Sequence, residues 1–353
     1  MKKYPFPWLE EPFKKPNDAI KKLAQEHQNR LTKPQGSLGR LEEISIHLAS
    51  LQNTLYPKAQ EVFITIFAAD HGVAQENVSA YPQAVTAEML KNFAQGGAAI
   101  SVLAKALSAN LQVFNLGTVT ELPPIVGVHS CILGPGTHNM TQAPALSSEQ
   151  LEQALEIGAK QVDYAIEQGA DIWIGGEMGI GNTTSATALA CALLNLPPAD
   201  LVGSGTGLST TQIEHKRKII ESALARHQSA AIDLFSQLRH WGGFEIAALV
   251  GGYIRSAQRG LPVLVDGFIT SVAALVAVTY HPEVAPWLLY SHQSAEKGHQ
   301  LVLKALNAKP LLNLNMRLGE ASGAATAIPL LRLACTLHQN MATFESAGVS
   351  NNT

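Results

Sequence analysis

Two glutamates stand in sequence settings that suit acid–base chemistry. Glu177 follows an apolar run and two glycines in "IWIGGEMGIGN", and Glu320 follows Gly319 in "RLGEASGAA". Small neighbours let a ligand approach a carboxylate closely, and the carboxylate can then accept a proton or face a developing positive charge. A structural alternative stays open for Glu320, because a helix dipole also favours a glutamate near a helix N-terminus.

Three glycine-rich turns precede helix-like segments: "GEMGIGNTTSATA", "GSGTGLSTTQIEHKRK" and "GPGTHNM". Glycine lets backbone N–H groups approach a phosphate, and a following helix N-terminus adds a favourable dipole. Thr183, Thr184, Thr206 and Lys216 could donate further hydrogen bonds. Any one of these turns could simply join a strand to a helix, but three in one chain favour an anionic ligand.

The segment "AADHGVAQENVSAYPQAVT" contains a second group of polar side chains. Ser79, Tyr81 and Gln83 alternate, so an extended segment would place them on one side, as the wall of an aromatic-ligand pocket. Asp70 and His71 are types that bind metals, but no HExxH motif or second ligand cluster accompanies them. A structural or substrate-orienting role is therefore favoured for His71.

Two further motifs carry weaker signals. Glu245 lies in the apolar segment "GGFEIAALVGG", which favours a structural role. Ser291 and His292 open "SHQSAEKGH", but the chain lacks the GxSxG elbow of a serine nucleophile, so hydrogen bonding to a ligand is favoured over covalent catalysis.

The elements that position these residues follow an α/β pattern. Continuous apolar runs at 62–67, 111–116, 171–176, 262–267 and 287–291 are typical of strands buried on both faces of a parallel sheet. Polar residues follow each run, which predicts one site along the carboxyl edge of the sheet. Apolar spacing in 17–54 predicts helices interrupted at "KPQGSLG". With a C-terminal helix, they are expected to form a small helical domain of residues 1–58 and 321–353, beside a large α/β domain of 59–320.

Composition narrows the classes of function. The 353 residues carry a net charge of −3, so the composition does not indicate binding to nucleic acid or to an anionic membrane. Three dispersed cysteines predict neither a disulfide framework nor a zinc site. The N-terminal residues lack the apolar core of a signal peptide and no run is typical of a membrane span, so a cytoplasmic protein is expected. No P-loop or complete GxGxxG motif is present.

Several segments together resemble one family. "LTKPQGSLGRLE", "AADHGVAQENVSAYPQAVT", "NFAQGGAAISVLA", "GTHNM", "GGEMGIGNTTSATAL", "GSGTGL", "GGFEIAA", "PVLVDGFI", "SHQSAEKGH" and "RLGEASGAA" resemble, in order, the nicotinate-nucleotide–dimethylbenzimidazole phosphoribosyltransferases. The resemblance runs from about residue 30 to residue 335. It implies a Rossmann-like parallel sheet, a small helical domain, a homodimer, and phosphoribosyl transfer from nicotinate mononucleotide to 5,6-dimethylbenzimidazole without a metal or other cofactor.

The resemblance also implies roles at the matching positions of this chain. Glu320 matches the general base, and Glu177 matches a second active-site glutamate. The base pocket is expected at Ser79, Tyr81, Gln83 and Met178. The nucleotide and its phosphate are expected at Gly179, Gly181, Asn182, Thr183, Gly203, Gly205, Thr206, Gly207, Lys216 and Ser291. One departure is Asn115, where an acidic residue is common, so no role is expected for a carboxylate there.

Two rival functions remain at this stage. The alternation of strands and helices also fits a dinucleotide-dependent oxidoreductase, although the incomplete GxGxxG motif counts against it. A non-catalytic nucleotide sensor would keep the glycine turns but would need neither glutamate.

Overall fold

The computed structural model describes residues 6–203, 205 and 207–350, and it contains one six-stranded sheet in which every neighbouring pair is parallel. The strand order is β3-β2-β1-β4-β5-β6. The strands are β1 (Val62–Ala69), β2 (Asn110–Gly117), β3 (Val128–Ser130), β4 (Ile172–Met178), β5 (Val263–Val265) and β6 (Leu288–Tyr290). The five predicted runs are thus confirmed as strands, and the parallel α/β architecture is confirmed with them.

Both faces of the sheet are covered, which explains why the strand sequences are continuously apolar. In β1, Phe63 and Phe67 join a core cluster on one face, together with Trp173 of β4. Ile64 and Ile66 point to the other face and join a second cluster. Alternate side chains of one strand therefore enter two separate cores.

Helices and 3₁₀ turns connect the strands. The α-helices are α1 (Asp18–Arg30), α2 (Arg40–Gln52), α3 (Ala84–Gln95), α4 (Ala99–Leu107), α5 (Ser148–Glu167), α6 (Asn182–Leu194), α7 (Pro198–Leu201), α8 (Thr210–His227), α9 (Leu234–Trp241), α10 (Phe244–Arg259), α11 (Phe268–Tyr280), α12 (His299–Ala305), α13 (Ser322–Asn340) and α14 (Phe344–Ala347). The 3₁₀ helices are Pro7–Glu10, Gly72–Glu76 and Pro282–Trp287. Within the described ranges, no helix is both long and apolar enough to cross a membrane.

The N-terminal and C-terminal helices lie together. The Gln28 side chain of α1 contacts the His338 ring of α13 at 2.8 Å, and Leu31 forms an isolated antiparallel bridge with Thr343. The first half of α13 also packs on the sheet through Ala324 and Ile328. A division into domains 1–58 plus 321–353 and 59–320 therefore stays a prediction, since α13 contacts both groups of elements.

The direction in which the chain adds strands to the sheet reverses between β1 and β4, and the carboxyl ends of these two strands lie side by side. β1 pairs with β2 on one side and with β4 on the other, so the chain leaves β1 and β4 in opposite directions. Glu177 lies opposite Phe67 at the end of β4. Asp70 directly follows β1 and Asp266 directly follows β5. This is the edge at which the sequence predicted a ligand site.

Candidate active site

A cavity of about 350 Å³ lies at the carboxyl ends of the central strands and brings the two predicted glutamates together. Its size lies in the range of small-molecule sites. Its lining includes Tyr81, Val85, Met89, Glu177, Met178, Gly179, Asn182, Thr183, Gly205, Asp266, Phe268, His292, Glu296, Arg317, Leu318 and Glu320. Charged groups line part of the wall, and an aromatic and aliphatic surface lines the rest. The cavity can therefore hold a ligand with a polar end and a flat apolar end.

Glu177 is buried at the end of β4 and is oriented by its neighbours. The Asn182 side chain, in the first residue of α6, donates a hydrogen bond to Glu177 Oε2. Burial raises the pKa of Glu177 well above its usual range, and the negative charges of Asp266, Glu245 and Glu320 raise it further. A cation bound beside Glu177 would oppose all these effects and favour its ionised form.

Glu320 lies in a strained turn that points it into the cavity. Gly319, Glu320 and Ala321 have φ values of 88°, 59° and 61°, so three successive residues adopt the left-handed conformation. Glu320 Oε2 is buried and has no hydrogen-bond partner in the part of the chain that the structure describes. Burial raises the pKa of Glu320 to about 7. A carboxylate with that pKa and a free oxygen is suited to accept a proton near neutral pH.

The predicted phosphate side is built around the start of α6. Gly181 precedes the helix with a φ of 100°, a conformation that favours glycine. Lys216 of α8 is buried, and its Nζ donates to Thr183 Oγ1 at 2.9 Å. Burial lowers the pKa of Lys216 to about 8. A hydroxyl and an ammonium group thus meet at the N-terminus of α6, whose dipole favours an anion.

The other predicted nucleotide residues have different positions. Gly205 lies against Thr183 and Lys216, since a Cβ at Gly205 would be 3.2 Å from Thr183 Oγ1. Gly203 packs against the Glu296 carboxylate. Gly207 is exposed, and Thr206 lies outside the described residues. Ser291 is buried after β6, and its hydroxyl donates to the Asp266 carbonyl rather than facing the cavity.

The predicted wall of the base pocket is only partly assembled from the expected residues. Tyr81 and Met178 line the cavity. The expectation of an extended segment is wrong, because residues 79–81 form bends and Gln83 has helical φ and ψ at the start of α3. Gln83 instead donates its amide to the His71 carbonyl at 2.9 Å, and Ser79 Oγ accepts the Tyr81 N–H.

His71 forms a buried pair behind the cavity. His71 Nε2 lies 2.6 Å from Glu245 Oε1, and both side chains are almost fully buried. In the described ranges, no three His, Cys, Asp or Glu side chains are grouped as a metal site requires. The pair supports the structural or orienting role that the sequence favoured for His71 and Glu245.

Comparison with known proteins gives a consistent result. A family model described as phosphoribosyltransferase (DBI_PRT) matches residues 13–349. The nicotinate-nucleotide–dimethylbenzimidazole phosphoribosyltransferase of Pseudomonas fluorescens is 55% identical over 344 residues, covering 98% of each chain. The corresponding protein of Xanthomonas axonopodis is 54% identical over 336 residues, covering 95% of this chain and 96% of the relative. The crystal structure of the Thermus thermophilus protein of that name superposes with a TM-score of 0.89 at 40% identity, covering 95% of this chain and 100% of the other.

The chain belongs to the nicotinate-nucleotide–dimethylbenzimidazole phosphoribosyltransferase family. This confirms the resemblance drawn from the sequence motifs, and it confirms the chain as a phosphoribosyltransferase. The oxidoreductase alternative is thereby set aside.

Three charged residues that line the cavity of this phosphoribosyltransferase were not among its predicted site residues. They are Asp266, Glu296 and Arg317. Asp266 follows a predicted strand, so its place at the carboxyl edge could be read from the sequence, although its contacts could not. Glu296 and Arg317 lie in irregular segments, where sequence spacing gives no signal. Arg317 donates to the Gly205 carbonyl and so ties the segment before Glu320 to the phosphate side.

Gly319→Ala tests the contact between the two glutamate segments of the phosphoribosyltransferase. A Cβ at Gly319 would overlap Glu177 Oε1, and the φ of 88° is itself strained for alanine. We expect kcat to fall roughly tenfold, because a misplaced catalytic group loses rate steeply with distance. Gly169→Ala is the matched control, since Gly169 has a φ of 81° and nothing within 4 Å of the added carbon. Equal kcat values for the two variants in steady-state assays would contradict this account.

Proposed function

We propose that this phosphoribosyltransferase transfers the 5-phosphoribosyl group of nicotinate mononucleotide to 5,6-dimethylbenzimidazole. The products are α-ribazole 5′-phosphate and nicotinate, and the former serves in assembly of the lower ligand loop of cobalamin. The observation that carries the proposal is Glu320: a buried, strained carboxylate with a free oxygen and a pKa near neutrality, in the same cavity as Glu177.

The chemistry matches these groups. One benzimidazole nitrogen attacks C1′ of the ribose while the bond from C1′ to the pyridinium nitrogen breaks, and the bonding electrons leave with nicotinate. The attacking ring becomes cationic as the new bond forms, so its remaining N–H acidifies. Glu320 accepts that proton, which is a contribution of ~10²–10⁴ in rate. Attack opposite the leaving group inverts C1′ from β to α.

Glu177 is proposed to stabilise the positive charge that develops at the ribose. Carboxylates play this part in glycosyl transfer, where the transition state resembles an oxocarbenium ion. The pKa of Glu177 lies well above its usual range, so it ionises most readily when a cation is present. Its charge would therefore be available when the pyridinium substrate is bound.

The phosphate of the mononucleotide and the benzimidazole ring are proposed to bind to different parts of the site. The phosphate binds at the N-terminus of α6 beside Thr183 and Lys216, supported by the 2.9 Å contact between these two side chains. The benzimidazole lies against Tyr81 and Met178. Ser79 and Gln83 stay predictions as base-pocket residues, as do Gly203, Gly207, Thr206 and Ser291 on the nucleotide side.

A product assay tests the proposed function. The protein is incubated with nicotinate mononucleotide, with and without 5,6-dimethylbenzimidazole, and nicotinate is quantified by chromatography. We expect release that depends on the benzimidazole. A non-catalytic nucleotide sensor would bind the mononucleotide without releasing nicotinate, and that result with several benzimidazoles and purines would overturn the proposal.

The acid side of the pH profile follows from the pKa of Glu320. The base must be ionised to accept a proton, and its folded-state pKa is about 7 rather than the usual 4.5. We therefore expect kcat/KM to rise with pH through about 7 and to fall tenfold per pH unit well below it. Rates are measured from about pH 5 to about pH 9 for the wild type and for Glu320→Gln, whose residual rate should lack this dependence. A flat wild-type profile through neutral pH would exclude Glu320 as the titrating base.

We also propose a cytoplasmic homodimer. The cytoplasmic location is supported by Cys131, Cys191 and Cys335, which are all free thiols, as is usual in reducing compartments. The homodimer is supported by the family resemblance. Light scattering should give twice the 37.6 kDa chain mass, and the mass of a single chain would contradict the dimer.

A further inference from the structure

The helix that follows the proposed base begins without a cap of its own. Ala321 is the N-cap of α13, and it makes no side-chain cap hydrogen bond among the described residues. The N–H groups of a first helical turn need acceptors from elsewhere, because no helical carbonyl precedes them. Here they lie just after Glu320 in the chain, so their acceptor also determines where Glu320 sits.

Asp266 supplies that acceptor from the sheet. It directly follows β5 and is 1% exposed. Asp266 Oδ1 accepts the Ala324 N–H at 2.8 Å, and the N–H groups of Gly323 and Ala321 lie close enough to lower the pKa of the carboxyl. A single buried side chain thus ties the first turn of α13, which follows Glu320, to the end of β5.

The backbone of this turn needs such a restraint. Glu320 and Ala321 both have positive φ values, at 59° and 61°. A non-glycine residue in this region is strained, and it persists only where its surroundings over-determine it. Gly319 on the other side packs against Glu177. Asp266 restrains the C-terminal side of the strained turn, and Gly319 allows the close contact on its N-terminal side.

We propose that Asp266 is a positioning residue for Glu320: its carboxylate, bonded to the first turn of α13, fixes the strained turn that aims Glu320 into the cavity. The proposal rests on the proposed function, in which Glu320 is the base. In this role Asp266 affects the reaction rate through the position of Glu320, and not through a contact of its own with the substrate.

The test is a double-mutant cycle on the full-length protein. Asp266→Ala is expected to lower kcat by ~10–10²-fold, because a small displacement of a catalytic group is costly, while the KM for nicotinate mononucleotide stays within about threefold. Asp266→Asn keeps one acceptor oxygen and should recover part of the loss. In the Glu320→Gln background the same Asp266→Ala change should lower the residual rate by less than about threefold, because residues that act as a unit are not additive.

Asp233→Ala is the matched control. Asp233 caps α9 by accepting the Ser236 N–H at 2.9 Å, and it does not line the cavity. This substitution therefore removes an aspartate from a helix start without touching Glu320, and kcat should stay near that of the wild type. Circular dichroism and calorimetric binding of nicotinate mononucleotide establish that each variant is folded.

The outcomes separate the two proposals. If the wild type and Asp233→Ala release no nicotinate, the proposed function fails. If they do release it but Asp266→Ala has the same effect in both backgrounds, Asp266 acts on the substrate itself and the positioning role is overturned. Wild-type kcat in both folded Asp266 variants would also overturn it.

Discussion

Glu320→Gln is expected to lower kcat by ~10²–10⁴-fold, the usual contribution of one general base. The amide has nearly the same shape and can occupy the same strained turn, but it cannot accept the benzimidazole proton. Binding of nicotinate mononucleotide should be retained, because the proposed phosphate contacts are made by Thr183, which lines the cavity, and by Lys216 behind it, and not by Glu320. Steady-state rates and calorimetric binding measure the two effects separately.

The control for Glu320→Gln is Glu42→Gln. Glu42 is also a buried carboxylate, but it pairs with Lys33 at 2.8 Å between the N-terminal helices and does not line the cavity. This variant tests whether neutralising any buried glutamate reduces turnover through lost stability. Near wild-type turnover in folded Glu320→Gln would remove Glu320 from the role of base.

Glu177→Gln is expected to be less severe alone, with kcat reduced roughly tenfold, or about 1.4 kcal/mol of transition-state stabilisation. The substitution removes the charge that we propose faces the ribose, and it leaves the proposed proton acceptor, Glu320, in place. Combined with Glu320→Gln it should nearly abolish activity, because both the proton transfer and the charge stabilisation are then lost. Single-turnover measurements give the rates of the two single variants and the double variant.

The double variant decides whether the two glutamates act separately. If its rate equals that of Glu320→Gln alone, an independent contribution from Glu177 is excluded. A charge-stabilising role should also appear as a loss in kcat greater than the change in KM, since the charge develops only in the transition state.

Much of the sheet could be predicted from the sequence because its strands are buried on both faces. The runs that became β1, β2, β4, β5 and β6 are continuously apolar, a pattern that few other elements share. β3 was missed because it is a three-residue edge strand with exposed side chains. β6 is also a three-residue edge strand, but Leu288 and Tyr290 are buried, so its sequence kept the apolar content that marks a strand.

For the candidate site, the sequence indicated which residue types to examine better than it indicated the backbone conformation around them. Glu177 and Glu320 share one cavity, as expected from their motifs. The extended conformation expected for residues 79–83 is wrong, because this segment bends and then turns at Pro82 into α3. The left-handed turn at Glu320 and Ala321 could not be predicted, because neither residue type favours positive φ.

The contacts of Asp266 are a second feature of the site that could not be predicted from the sequence. Its position after β5 was visible in the sequence, but the N–H groups that donate to it lie at the start of α13, far along the chain. Only the tertiary fold brings these segments together. The same holds for the contact between Gly319 and Glu177.

Direct displacement at C1′ of the ribose determines the configuration of the product at that carbon, and this configuration can be measured. Nicotinate mononucleotide and 5,6-dimethylbenzimidazole are incubated with the protein, and the riboside is examined by nuclear magnetic resonance. We expect the α-anomer of the benzimidazole riboside 5′-phosphate, formed together with an equal amount of nicotinate. A β-riboside, or ribose phosphate with free benzimidazole, would contradict direct displacement at C1′ with Glu320 as the base.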